Sequence, residues 1–197
     1  MTDPNTVQHV NVKIFAEPPV SIDLAGATPV FHRWIQDSVC EELLVDVADY
    51  RHVPAGPGVM LIGHEANYSL DCADDRLGLL YNRKSVLEGA AQDKLLQAFG
   101  AALFACRQLE EDDRFRGKLR FNAGDCEVIL NDRLIAGNTE ETWIALKPEL
   151  TRFFDRLFGA NTYTMVRLGE PRERFRIGVK TRTPVTVTSL AGALQPA

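Results

Sequence analysis

The sequence predicts an α+β fold, with an antiparallel sheet of hairpins packed against two long helices and one shorter helix near the amino end. Three features carry this prediction: apolar runs of period two recur in neighbouring pairs, turn-forming residues separate them, and two long stretches repeat their apolar residues every three or four positions. With 197 residues, 45% hydrophobic and 25% charged, the composition is that of an ordinary globular protein. A single domain is expected over 1–183, followed by a tail, 184–197, low in charge and frayed at its end.

Val10 to Phe15 reads as the first strand, and Pro18-Pro19 and Gly26-Ala27 mark loop. Thr28 is expected to cap a short helix with Pro29 at its first position, and Val30, Phe31, Trp34, Ile35 and Val39 form its inner stripe. His32 falls off that stripe and belongs at the surface. Leu43 to Val47 is a short strand, and the segment from Val53 to Gly58 is a loop because its prolines lack donors and its glycines lack stiffness.

Alternation then runs from Val59 to Asp71 and predicts one long strand, with Met60, Ile62, His64, Ala66, Tyr68 and Leu70 on one face. A turn over Ala73–Arg76 returns it antiparallel into Leu77 to Arg83. Ser85 with Glu88 has the spacing of a capping box ahead of a long helix whose apolar face runs from Leu87 to Leu109; Phe104 lies on its polar side. Lys118–Ala123, Cys126–Leu130 and Arg133–Ala136 read as a meander.

Asn138 with Glu141 is expected to cap a second long helix, kinked or split at Pro148 and stopped by Gly159. Tyr163–Leu168 and Arg174–Lys180 form a last hairpin. Both long helices follow a predicted hairpin, and Asp71-Cys72 with Asp75-Arg76-Leu77 is echoed by Asp125-Cys126 with Asp132-Arg133-Leu134. That echo suggests a pseudo-repeated β-β-α arrangement.

A cytoplasmic location is expected, because Met1 to Gln8 lacks the features of a secretory signal and no apolar run approaches the ~18 residues of a membrane span. No membrane partner is expected. The widely spaced Cys40, Cys72, Cys106 and Cys126 read as reduced thiols rather than a disulfide frame or zinc site. A net charge of -5 argues against a general nucleic-acid binder. The first fifty residues are acidic and the stretch after Gly159 is basic, a polarity that would suit pairing of the two ends within a monomer or of two chains in a dimer.

No stretch names a reaction. The best cluster for chemistry is His52, His64, Glu65 and Asp71, whose imidazoles and carboxylates have the acid-base range and the donor types for general catalysis or a divalent metal. Adjacent strand residues face opposite sides, however, so His64 reads as a hydrogen-bonded core histidine unless Gly63 bulges the strand. Gly56-Pro57-Gly58 lacks the Lys-Ser/Thr of a phosphate loop. Arg172, Arg174 and Arg176 alternate along the last hairpin and would line one face, opposite Phe175, Ile177 and Val179; with Phe104 they are the expected binding residues.

The expected function is therefore binding or assembly, with self-association into a homo-oligomer and a small-molecule or acidic protein partner. No cofactor and no metal site are expected. The alternative is a small-molecule enzyme, metal-assisted or acid-base, with a pocket around His52, His64 and Glu65.

Overall fold

Strand β1, Val10–Ala16, shows why the sheet is thick at its centre. Val10, Val12 and Ile14 point to one side and Asn11, Lys13 and Phe15 to the other, and all six are buried. The computed structural model describes residues 3–191. After β1 come helix α1 (Ala27–Gln36), strands β2 (Leu44–Tyr50), β3 (Gly58–Gly63), β4 (Ala66–Asp71) and β5 (Gly78–Arg83), and helix α2 (Ala91–Glu111). Strand β6 (Phe121–Leu130), helix α3 (Glu140–Phe158), strands β7 (Tyr163–Leu168) and β8 (Phe175–Thr181) and the short helix α4 (Val187–Ala191) complete the chain. The end of the expected frayed tail, 192–197, lies outside the described residues.

The strands form one eight-stranded sheet, ordered β2-β3-β4-β5-β1-β6-β8-β7, in which every neighbouring pair is antiparallel. The α+β architecture is that read from the sequence. The core lies on the helix-bearing face, where Val12, Ile14, Leu61, Tyr68, Leu79, Val128 and Ile177 meet the inner stripes of the helices. Phe99 of α2 packs on Phe153 and Phe154 of α3 with ring centroids 5.0 and 5.5 Å apart. Among the described residues no helix is long and apolar enough to cross a membrane.

Several local expectations are corrected. The stretch Val59–Asp71 is a hairpin, with His64 and Glu65 as the turn and the register Ile62↔Asn67 and Leu61↔Tyr68. A two-residue turn reverses the parity of the alternation, so Val59 and Leu61 face the helices with Tyr68 and Leu70, whereas Met60 and Ile62 do not. Gly63 permits the turn: a Cβ there would stand 2.6 Å from the Ala66 carbonyl oxygen. Helix α1 starts at Ala27 with Gly26 at its cap, so Thr28 is already helical.

Helix α2 starts at Ala91, where the Asp93 carboxylate accepts from the Ala90 N–H at 2.9 Å, and Ser85 and Glu88 lie in the connection before it. The expected meander is one ten-residue strand, β6, held between β1 and β8, and 133–136 form a turn. Gly124 marks a close approach to Thr181 and not a turn. Thr139 caps α3 by accepting from the Thr142 N–H at 3.2 Å, and the helix runs through Pro148. Pro148 and Ile144, whose carbonyl loses its donor, are both exposed, so water can satisfy that carbonyl.

Candidate functional site

The most developed concavity lies on the helix-bearing side, between α2 and the connection from α1 to β2. It has a volume of about 570 Å³ and is lined by Val39 to Glu42, Tyr68, and the α2 residues Leu96, Gln97, Gly100, Ala101, Leu103, Phe104 and Arg107. The helical residues recur at three- and four-residue spacing, so a single strip of α2 forms one wall. Gly100 sits mid-helix where a Cβ would meet nothing within 4 Å, which leaves that wall open.

A hydrogen-bonded chain crosses the floor. Tyr68 and Tyr81 are paired across β4 and β5, with rings edge to face at 5.1 Å. The Tyr68 hydroxyl donates to Glu42 Oε2 at 2.7 Å and the Tyr81 hydroxyl to Glu42 Oε1 at 3.0 Å, while Gln97 Nε2 donates to the Tyr81 hydroxyl at 2.8 Å. Glu42 thereby ties the connection to the sheet. Burial raises the Tyr68 phenol and pushes Tyr81 up to about 12, so both remain donors at neutral pH. Burial also pushes the nearby Cys40 thiol up to about 12, which removes the thiolate needed for nucleophilic chemistry. The floor is equipped to hold a group, with no activated nucleophile beside it.

The residues singled out for chemistry do not converge. His64 and Glu65 sit on the β3–β4 turn, where the His64 side chain is 73% exposed and its Nδ1 lies 3.3 Å from Glu65 Oε1. The reading of His64 as a core histidine is overturned by the turn itself. Glu65 also accepts from the Leu43 N–H at 3.3 Å. His52 lies in the β2–β3 loop at the opposite end of β3, its ring 6.4 Å from that of Tyr50. Asp71 ends β4 on the other sheet face, bound to Lys13 at 2.5 Å with both side chains under a tenth exposed. Among the described residues no three His, Cys, Asp or Glu side chains are grouped to hold a metal ion.

Within β8 the alternation is as read, with Phe175, Ile177 and Val179 buried and Arg176 on the helix-free side, but Arg172 and Arg174 precede the strand. There Arg176 reaches Asp74 at 2.6 Å and Glu127 at 3.6 Å, and Arg76 bonds Asp125 at 3.0 Å while lying 3.5 Å from the centre of the Phe15 ring. This network fastens the β4–β5 turn over the sheet. Arg174 donates to Asn131 at 3.1 Å and Arg172 is exposed, so the three guanidinium groups serve different surroundings. Phe104, 40% exposed, stands at the lip of the cleft.

No protein family, no curated protein and no solved structure matches this chain. The site must be read from its own atoms. Sequence reasoning missed Glu42, Tyr81, Gln97 and Gly100. A tyrosine on the inner face of a strand needs a partner for its hydroxyl, and a glycine inside a helix needs a reason; those were the available signals.

The other depressions offer less. An apolar gap of about 30 Å³ between the amino-terminal segment, α2 and α3 is large enough for one water. A polar hollow near the end of α2 is lined by Arg33, Asp112, Asp113 and Arg116, which are engaged in ion pairs with one another.

Proposed function

We propose that this chain is a binding protein whose ligand site is the cleft between the α1–β2 connection and α2. The observation that carries this reading is the Gln97–Tyr81–Glu42–Tyr68 chain, which presents a fixed carboxylate at the floor of an otherwise largely apolar concavity. A cleft of about 570 Å³ is in the range of small-molecule sites, which are mainly apolar with a few polar groups that fix orientation. Gly100 supports the reading: glycine costs a helix about 1 kcal/mol relative to alanine, and the space beside it is open.

The test is a thermal-shift screen of a chemically diverse small-molecule panel against the wild type and Gly100→Leu, whose side chain would fill the cleft. Compounds that raise the wild-type melting temperature and leave Gly100→Leu unchanged are expected. Shifts of equal size in both proteins, or none in either, would contradict a ligand site here.

Self-association is a second reading, supported by the edge strand β2. Among the described residues its outer hydrogen-bonding groups have no neighbouring strand, and Leu43 just before it and Val45 within it are 66% and 59% exposed. Light scattering is expected to give the mass of two chains, reduced to one by Val45→Lys. A monomeric wild type would remove this reading and leave the cleft untouched.

A further inference from the structure

We propose that the cleft takes an organic ammonium ion carried on an apolar chain, with the cationic head at Glu42 and the chain along Leu96, Gly100 and Phe104; this rests on the cleft being a ligand site. An ionised carboxylate is acceptor-only and offers about four lone-pair directions. Each Glu42 oxygen accepts one phenolic hydrogen bond, from Tyr68 or Tyr81, which leaves room on each for a further donor. The ligand group that completes the site must therefore donate.

Charge decides which donor. Glu42 and Glu41 both line the cleft, and neither takes part in an ion pair among the described residues. The one cationic side chain on the wall, Arg107, is engaged by Glu111 at 2.9 Å. The carboxylate at the floor is thus held in place by two phenols and has no ion-pair partner within 4 Å among the described residues, the Arg83 guanidinium bonding the Tyr81 hydroxyl instead. An anionic ligand would be repelled, and a neutral hydroxyl could donate to the carboxylate but would leave its charge unpaired. A primary ammonium supplies three donors and the missing charge.

The wall fixes the rest of the ligand. Leu96, Ala101, Leu103 and Phe104 present hydrocarbon, and Gly100 widens the passage between them. A straight alkyl chain would gain about 0.8 kcal/mol for each methylene it buries, or about fourfold in affinity.

The experiment is isothermal titration calorimetry of the full chain at neutral pH with n-hexylammonium, n-hexanol and n-hexanoate, repeated with the pentyl and heptyl ammonium ions. Hexylammonium is expected to bind at least about tenfold more tightly than the other two, to weaken with added salt, and to tighten about fourfold per methylene. Glu42→Gln is expected to erase the preference for the cation; should that variant not fold, the comparison of the three probes on the wild type still decides.

Equal binding of hexanol, or tighter binding of hexanoate, would overturn the cation while leaving the cleft as a ligand site. Binding by none of the probes at millimolar concentration would overturn both.

Discussion

Glu42 joins two tasks in one side chain: it accepts hydrogen bonds from two buried phenols, and it faces the cleft. Removing it leaves both phenolic O–H donors without their acceptor, so Glu42→Ala is expected to cost about 1–3 kcal/mol in urea denaturation, whereas Tyr81→Phe should cost about 1 kcal/mol. Gly100→Ala should move the other way, raising stability by about 1 kcal/mol, because the added methyl meets no atom and the helix gains. The thiols extend the same logic. Cys40, Cys106 and Cys126 are buried and Cys72 is partly exposed, so a thiol reagent is expected to label Cys72 in the native protein and the other three only after unfolding. Labelling of Cys40 at the native rate of Cys72 would contradict the closed floor.

Elements were legible from the sequence wherever burial alone sets the pattern. The inner stripes of α1, α2 and α3 follow their three- and four-residue spacing, and the last hairpin alternates as read. Boundaries were less legible, because several residue types can cap or turn a chain and the tertiary partner decides among them. Ser85 and Glu88 have the spacing of a capping box, yet the chain from Ser85 to α2 is held by other bonds, including Leu87 N–H to Gln8 at 3.2 Å. The β3–β4 turn escaped because His64 and Glu65 are not typical turn residues and alternation continues through them unbroken in hydropathy. That single turn also dispersed the expected catalytic cluster. Gly63→Val is therefore expected to cost about 1–3 kcal/mol through the crowded turn, whereas His64→Ala should change stability by less than about 0.5 kcal/mol. The candidate site itself was barely legible, since its residues come from the α1–β2 connection, two strands and α2.

Across the whole molecule, burial holds protons on several acidic groups. Cys40 and Tyr81 are pushed up to about 12, and Cys106, Cys126 and Tyr68 are raised as well. In the unfolded chain thiols titrate near ~8.5 and phenols near ~10. The native state thus binds more protons above that range, and these groups contribute stability that is whole below pH ~8.5 and lost as pH rises toward about 12. The urea midpoint is expected to fall steadily from pH 8 to pH 10, while a flat profile would mean that the core is open to solvent.

One sheet face carries the helices and the middle of the other an ion-pair network around Lys13, Asp71, Glu127 and Arg176, and the α2 cleft opens on the helix-bearing side. Amide chemical-shift mapping tests the cleft as the ligand site most directly, with n-hexylammonium titrated into labelled protein. Saturable changes confined to residues 39–42, 68, 81 and 96–107 are expected. Changes centred elsewhere, on the arginine strand or the β3–β4 turn, would contradict the cleft as the site.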